Sequence, residues 1–281
     1  MVFAALALSK HLFEPEPALR AGGAFLIFCG LSGAVYLVND VADVEQDRLH
    51  PRKRLRPIAS GQLAVRHAVA VAVLLGLACL AGAFVLGTLF GATASAYLAL
   101  NLLYSFQLKN VVILDALSVS LGFVLRAVAG GLAVRVPVSD WLLVCTILLA
   151  LFLALAKRRH ELTSLSEQAR EHRQILAEYS PYLLDQMISV VTASCVTAYA
   201  FYTLAPETHE KYQTNALAWT IPFVIYGVFR YLYLVHQKEQ GGSPSEILIT
   251  DRPLLLTVAL WALTIVAIAY AAPGAPMPIG R

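Results

Sequence analysis

Eight long apolar runs decide what this chain can fold into. They lie near 18–38, 66–85, 87–105, 111–134, 139–157, 184–205, 216–236 and 253–272. Each is long enough to cross a hydrocarbon layer of roughly 30 Å as a helix. Lipid offers no water to backbone N–H and C=O groups, so only helices and closed barrels can span it. No ten-residue alternation suggests a barrel. The fold class is therefore an all-α integral membrane protein. Val2 to Phe13 reads as the tail of a further helix too short to span, which gives a bundle of about nine transmembrane helices with the first truncated. Composition agrees: 58% of residues are apolar and 14% charged, against about half and about a quarter in soluble domains. A disordered chain, a nucleic-acid-binding tail protein and an ordinary soluble enzyme are excluded, so no nucleic-acid partner is expected. No signal peptide is expected at the start. Cys29, Cys79, Cys145 and Cys195 each sit in an apolar run and read as small buried hydrophobes.

The charges are distributed unevenly between the two sets of connections. Fifteen of the 21 basic residues follow the spans ending near 38, 105, 157 and 236, within or beside polar segments 39–65, 105–111, 158–183 and 237–252. The other side holds Lys10, Arg20, Arg135, Lys211 and Arg281, and Arg126 alone lies well inside a span. The positive-inside rule makes the first set cytoplasmic. A transporter usually gathers polar groups near the bilayer midplane; here they collect at one face.

The first constellation is Asn39-Asp40-Val41-Ala42-Asp43-Val44-Glu45-Gln46-Asp47. Spacings of three and four place Asn39, Asp40, Asp43 and Asp47 on one helical face. Stacked carboxylates repel unless a cation sits among them, and hard oxygen ligands suit Mg²⁺ bridged to substrate phosphates. Asp40, Asp43 and Asp47 are the candidate metal ligands, with Asn39 assisting. A basic cluster follows, His50-Pro51-Arg52-Lys53-Arg54 and Arg56-Pro57-Ile58-Ala59-Ser60-Gly61. Lys53 and Arg56 are candidate phosphate binders, whereas Arg52 and Arg54 read better as charges facing lipid headgroups.

The second constellation runs from Tyr104-Ser105-Phe106-Gln107-Leu108-Lys109 to Asp115, Ser118, Gly122 and Arg126. Offsets of 3, 7 and 11 put the last four on one helical stripe. Ionisable groups at membrane depth are costly and default to a functional or paired role. Asp115 and Arg126 are expected either to serve a function on that shared face, paired with each other, or each to pair with another helix. Gly122, Gly130 and Gly131 would keep that surface thin. Further on, Lys157-Arg158-Arg159-His160-Glu161 closes a span, with Lys157 and Glu161 placed to pair at i,i+4. Arg230 among Tyr226, Tyr231 and Tyr233 reads as part of an aromatic belt. Asp251-Arg252-Pro253 starts the last helix.

These motifs together resemble the UbiA-type intramembrane prenyltransferase superfamily, over nearly the whole chain. The carriers are Asn39-Asp40-x-x-Asp43-x-x-x-Asp47 and Arg56-Pro57-Ile58-Ala59-Ser60-Gly61. A finer resemblance is to its decaprenyl-phosphate phosphoribosyltransferase branch. It rests on His50-Pro51 with Lys53, Tyr104-Ser105-x-x-Leu108-Lys109 with Asp115, Gly122-Phe123-Val124-Leu125-Arg126-Ala127, Lys157-Arg158-Arg159-x-Glu161-Leu162 and Asp251-Arg252-Pro253.

The resemblance implies one transmembrane domain over 1–281, its helices arranged around a central cavity open to the cytoplasmic side of a bacterial inner membrane. It also implies a Mg²⁺-dependent transfer of 5-phosphoribose from 5-phosphoribosyl diphosphate (PRPP) to a polyprenyl phosphate. The product would serve cell-wall arabinan synthesis. Asp40, Asp43, Asp47 and Asp115 are then the implied catalytic residues. Asn39, Lys53, Arg56, Tyr104, Lys109, Arg126, Lys157 and Arg158 are the implied substrate contacts. Oligomeric state stays open, a homo-oligomer included.

Two departures stand out. Ordinary members of the superfamily carry a second Asp-x-x-x-Asp, but Val119 takes the place of its second carboxylate here. That argues against a prenyl diphosphate donor. Members of the branch also begin with an Arg-Pro-x-Gln-Trp-x-Lys-Asn segment, and this sequence starts after it. The alternatives are a conventional prenyltransferase acting on an aromatic or lipid acceptor, and a transporter without chemistry.

Overall fold

A computed structural model describes residues 2–49, 53–164 and 178–271. His50, Pro51, Arg52, Arg170, Arg173 and Arg281 lie outside the described residues. Among those described, eight helices are long and apolar enough to cross a membrane and no strand occurs. They match the eight apolar runs. The chain divides into two compact units with four of these helices each.

The first unit comprises residues 2–6 and 12–137. Its elements are α1 (Val2–Leu8, whose last two residues are counted with the second unit), α2 (Pro15–Ala42), α3 (Val44–Leu49), α4 (Val65–Leu86), α5 (Thr88–Phe106) and α6 (Leu114–Val134). Residues 2–13, expected as the tail of a helix, form one only as far as Leu8. The core pairs large residues with small ones. Phe28, Leu31, Phe90 and Tyr97 pack against Ala24, Ala83, Ala94, Ala129 and Ala133. Phe28 meets the rings of Phe90 and Tyr97 edge-on at 5.9 and 5.0 Å. In lipid the hydrophobic effect between helices is absent, so close packing through small residues holds them together. Gly130 shows this at its tightest: a Cβ there would fall 2.3 Å from the Val2 carbonyl oxygen. Gly122 does not, since a Cβ there would make only ordinary contacts with Tyr97 and Asn101. The outward face of α4, with Val71, Val73, Leu74 and Leu77, stays exposed, as a lipid-facing helix requires.

One arginine clamps the end of this unit remote from the acidic motif. Arg20 of α2 donates through Nε to the Ala133 carbonyl (2.6 Å) and through Nη2 to the Leu86 carbonyl (2.9 Å). These carbonyls belong to the last turns of α6 and α4, where no intrahelical donor remains. A basic side chain there also complements the negative helix ends.

The second unit comprises residues 7–11 and 138–271 as described. It holds α7 (Asp140–Ser164), α8 (Pro181–Leu204), α9 (Pro206–Tyr212), α10 (Ile221–Gln237), α11 (Pro244–Thr250) and α12 (Arg252–Ala271). Local chemistry sets the starts of three of these helices. Ser180 precedes Pro181 and accepts from the Leu183 amide (3.1 Å). Ser243 does the same before Pro244 (3.4 Å). Asp251 accepts from the Leu254 amide at 2.9 Å. Each satisfies an orphan N–H of a first turn. The buried Tyr199 hydroxyl joins Thr220 (2.7 Å) and accepts from the Trp261 indole (2.8 Å), so three helical segments share one polar node. Tyr212, Leu217, Ile265 and Ala269 close an apolar cluster with Leu8.

The Arg20 clamp gives a stability prediction. Arg20→Ala should destabilise the protein by about 2 kcal/mol, as for hydrogen bonds made by a charged donor. A lower midpoint of thermal unfolding in detergent is expected; an unchanged midpoint would remove the clamp from the account.

Candidate functional site

The acidic motif lies where α2 ends. The helix stops at Ala42, Asp43 leaves helical geometry, and α3 resumes at Val44. The i→i+4 bonds nonetheless continue, Asp43 amide to Asn39 carbonyl (2.9 Å) and Asp47 amide to Asp43 carbonyl (2.8 Å). The break at Asp43 therefore leaves the spacing argument intact.

Each carboxylate of the motif meets a cation. Arg56 Nη1 donates to Asp40 Oδ1 at 2.7 Å and to Asp47 Oδ2 at 2.8 Å. Lys53 Nζ lies 3.9 Å from Asp47. Lys109, arriving from the α5–α6 connection, donates to Asp43 Oδ1, while Asn39 Nδ2 donates to Asp43 Oδ2 at 3.1 Å. Asp47 is 2% exposed, so its charge is compensated almost wholly by these contacts. Three carboxylates and three cations make a locally neutral network. The motif, the Arg56 loop and Lys109 all belong to the first unit.

The Arg56 loop is itself anchored. Ile58 and Ala59 are buried, and the Leu63 amide donates to the Pro57 carbonyl at 2.8 Å. Gly61 turns the chain back at φ +80°, a region that suits glycine. The motif Arg56-Pro57-Ile58-Ala59-Ser60-Gly61 thus works as a fixed mount for one guanidinium.

A single nitrogen, Arg56 Nη1, sits between two carboxylate oxygens, where a hard cation could also be held. Asp40, Asp43 and Asp47 with Asn39 offer oxygen donors of the type Mg²⁺ takes. As they stand they do not converge on one point: two face Arg56 and the third faces Lys109. Among the described residues no group of three His, Cys, Asp or Glu is arranged around a common centre. The donor chemistry fits the ion, and the carboxylates that would offer it are paired with Arg56 and Lys109.

Asp115, in the first turn of α6, is fully buried. The turn before it is strained. Ile113 has φ 69° and ψ −44°, and the Leu114 amide donates to the Val112 carbonyl at 2.8 Å. This is the rare form of the γ-turn. A β-branched residue held there costs of order 1–3 kcal/mol, and such strain concentrates at functional sites. The turn sets the path between Lys109 and Asp115, and the sequence carries no sign of it.

Arg126 does not pair with Asp115. Eleven residues separate them, about 16 Å along a helix. Arg126 instead donates through Nη2 to the Tyr97 hydroxyl (2.5 Å) and to Ser32 Oγ (3.2 Å), with its guanidinium over the Tyr97 and Phe123 rings. Tyr104 is half-buried at the end of α5.

In the second unit Glu161 takes Arg158 at 2.5 Å, and Lys157 is exposed. The spacing had suggested Lys157 as the partner, but the i,i+3 neighbour is the one on the buried side. Arg159 donates to Asp185 Oδ1 at 2.5 Å, and His236 Nε2 lies 3.2 Å from the same oxygen. Three helices meet at that carboxylate. Arg230 is more than an aromatic-belt residue, since it holds Asp251 through two bonds of 3.2 and 2.8 Å. The Asp-Arg-Pro motif therefore ties α10 to the start of α12.

Three comparisons bear on this geometry. The model of the UbiA prenyltransferase family matches residues 1–248. The chain is 34% identical over 271 residues to a decaprenyl-phosphate phosphoribosyltransferase of Corynebacterium glutamicum, covering 93% of this chain and 79% of that protein. It is 35% identical over 251 residues to one of Mycobacterium tuberculosis, covering 89% and 82%. A solved structure of a UbiA homologue from Archaeoglobus fulgidus bound to DMAPP and Mg²⁺ has the same fold, with a TM-score of 0.73, 18% identity and coverage of 96% and 94%.

The Arg230–Asp251 pair predicts a pH effect. The Arg230 hydrogen bond holds the Asp251 carboxyl below its ordinary value. A depressed carboxylate stabilises the fold above its unfolded pKa, and that contribution fades as pH falls through the folded value. Asp251→Asn should lower the unfolding midpoint at neutral pH and reduce its fall below about pH 4. Parallel pH profiles of the two proteins would contradict the assignment.

Proposed function

Since the chain belongs to the UbiA prenyltransferase family and is a multi-pass membrane protein, we propose that it transfers 5-phosphoribose from PRPP to a polyprenyl phosphate such as decaprenyl phosphate. The products are polyprenylphosphoryl-5-phosphoribose, a precursor suited to cell-wall arabinan, and diphosphate. Two relatives carrying that activity in their names, each matching about nine-tenths of the chain, support the reading. The observation that carries it is the neutral network of three carboxylates and three cations, whose oxygens are of the type a hard cation takes and whose cations are of the type phosphate takes. We place this network at the cytoplasmic face of a bacterial inner membrane, where the soluble donor is found, because most basic residues flank that side of the spans.

In this mechanism the bond between ribose C1 and the diphosphate oxygen breaks, and the diphosphate leaves with the electron pair. A bond forms between C1 and an oxygen of the lipid phosphate. That oxygen is already ionised at neutral pH, so no general base is required. Asp40, Asp43 and Asp47, with Asn39, would hold Mg²⁺, which supplies charge neutralisation on the leaving diphosphate. Arg56, Lys53 and Lys109 then exchange their carboxylate partners for phosphate oxygens, and charge-assisted bonds of this kind are the strong ones. Aimed at the developing negative charge, they lower the barrier. Asp115, fully buried beside the strained turn, is assigned the orientation of the ribose, and Tyr104 a donor contact.

The second reading, prenyl transfer from a prenyl diphosphate, draws on the Archaeoglobus homologue bound to DMAPP and Mg²⁺. Val119, in place of a second carboxylate, speaks against it.

Purified protein with PRPP, decaprenyl phosphate and Mg²⁺ should yield a lipid heavier by one phosphoribosyl group in mass spectrometry. Asp43→Asn should lower turnover by at least about 100-fold, in line with loss of one transition-state contact, while the unfolding midpoint is retained. Product only from a prenyl diphosphate and an aromatic acceptor would overturn the proposal.

A further inference from the structure

Arg126 occupies an unusual position. It lies near the middle of α6, and its partners lie near the middle of two other spans, Ser32 in α2 and Tyr97 in α5. An ionised group at that depth is costly and is normally matched by an opposite charge. Here the matching groups are hydroxyls and ring faces. No carboxylate among the described residues pairs with Arg126. The Tyr97 hydroxyl also reaches Ser32 Oγ at 3.1 Å, so guanidinium, phenol and alcohol form one connected set of donors. Tyr97 is 2% exposed, but Arg126 and Ser32 are only half-buried, so the donor set is open on one side.

The set is separate from the acidic network. Ser32 precedes Asp40 by eight residues, about 12 Å along α2, and Arg126 follows Asp115 by about 16 Å along α6. It cannot share the diphosphate held at the helix ends. A guanidinium with two hydroxyls matches an anion with several oxygens, and phosphate is the best fit to such a fork.

Resting on the proposed reaction, we infer that Arg126, Tyr97 and Ser32 form a phosphate-monoester subsite inside the membrane, distinct from the diphosphate site. Two phosphate monoesters are available in that reaction. One is the 5-phosphate of the donor; the other is the head of the lipid acceptor. An anion in the subsite supplies the charge that Arg126 lacks, and the low dielectric strengthens the pair.

The test uses the full chain in detergent and isothermal titration calorimetry with two probes, ribose 5-phosphate and farnesyl phosphate. Arg126→Gln should weaken one probe at least tenfold and leave the other within twofold. The probe that weakens identifies the source of the phosphate. Arg126→Lys should recover part of the loss, and Tyr97→Phe should weaken the same probe. Unchanged affinity for both probes, equal weakening of both, or no binding of either by the parent protein overturns the inference. Should Arg126→Gln not fold, Ser32→Ala and Tyr97→Phe retain the guanidinium and must show the same selectivity; equal effects on both probes again overturn it. Mass spectrometry of the lipid product from the parent protein reports on the reaction itself, so failure of the reaction and failure of the subsite are told apart.

Discussion

Like charges crowded at the end of a membrane helix must be compensated, and the rest of the first unit is organised around that requirement. Asp40, Asp43 and Asp47 lie across the junction of α2 and α3, and Asp47 is almost wholly removed from solvent. Arg56 and Lys53 reach them from an anchored loop, and Lys109 from a connection 66 residues away from Asp43. The packing of α2, α4, α5 and α6 brings these pieces together. Arg20 fixes three of these helices, α2, α4 and α6, at their other ends. The network balances its own charge and still carries strong acceptors and strong donors. That suits the proposed pairing of phosphate-rich substrates with a hard cation.

Much of this was legible in the sequence. The eight spans were readable because some twenty apolar residues in a row have few alternatives in lipid. The acidic face was readable because spacings of three and four survive even where the helix breaks at Asp43. Arg56 and Lys53 stood out from their place just after the carboxylates as phosphate binders, but their pairing with Asp40 and Asp47 depends on how their loop folds back. Other features depend on tertiary contacts that no local pattern encodes. Ser32 and Arg126 are 94 residues apart, and Arg20 and Ala133 are 113 apart. The stripe that joined Asp115 to Arg126 was real as a face of a helix, but a shared face does not shorten 11 residues of rise. The reversed backbone at Ile113 was unreadable for the opposite reason, since nothing in an isoleucine announces a positive φ.

Two polar layers emerge in the first unit. The outer one is dense, charged on both signs and fixed to helix ends. The inner one has a single cation served by hydroxyls and aromatic faces. Strain at Ile113 and burial of Asp115 mark the connection that feeds the outer layer. In the second unit charged side chains serve packing: Asp185 gathers Arg159 and His236, and Asp251 both starts α12 and holds Arg230. The sparse charge of the chain is thus spent in different ways, on a site in one unit and on tying helices in the other.

In the proposed reaction Arg56, bonded to Asp40 and Asp47, gives both up when donor and ion arrive. Calorimetric titration of Mg²⁺ into the substrate-free protein and into Arg56→Gln tests this directly. Ion binding roughly 10- to 150-fold tighter is expected in the variant, since a charged hydrogen-bond donor of roughly 1.5–3 kcal/mol no longer competes, together with weaker binding of PRPP. Equal or weaker Mg²⁺ binding by a folded Arg56→Gln would contradict it.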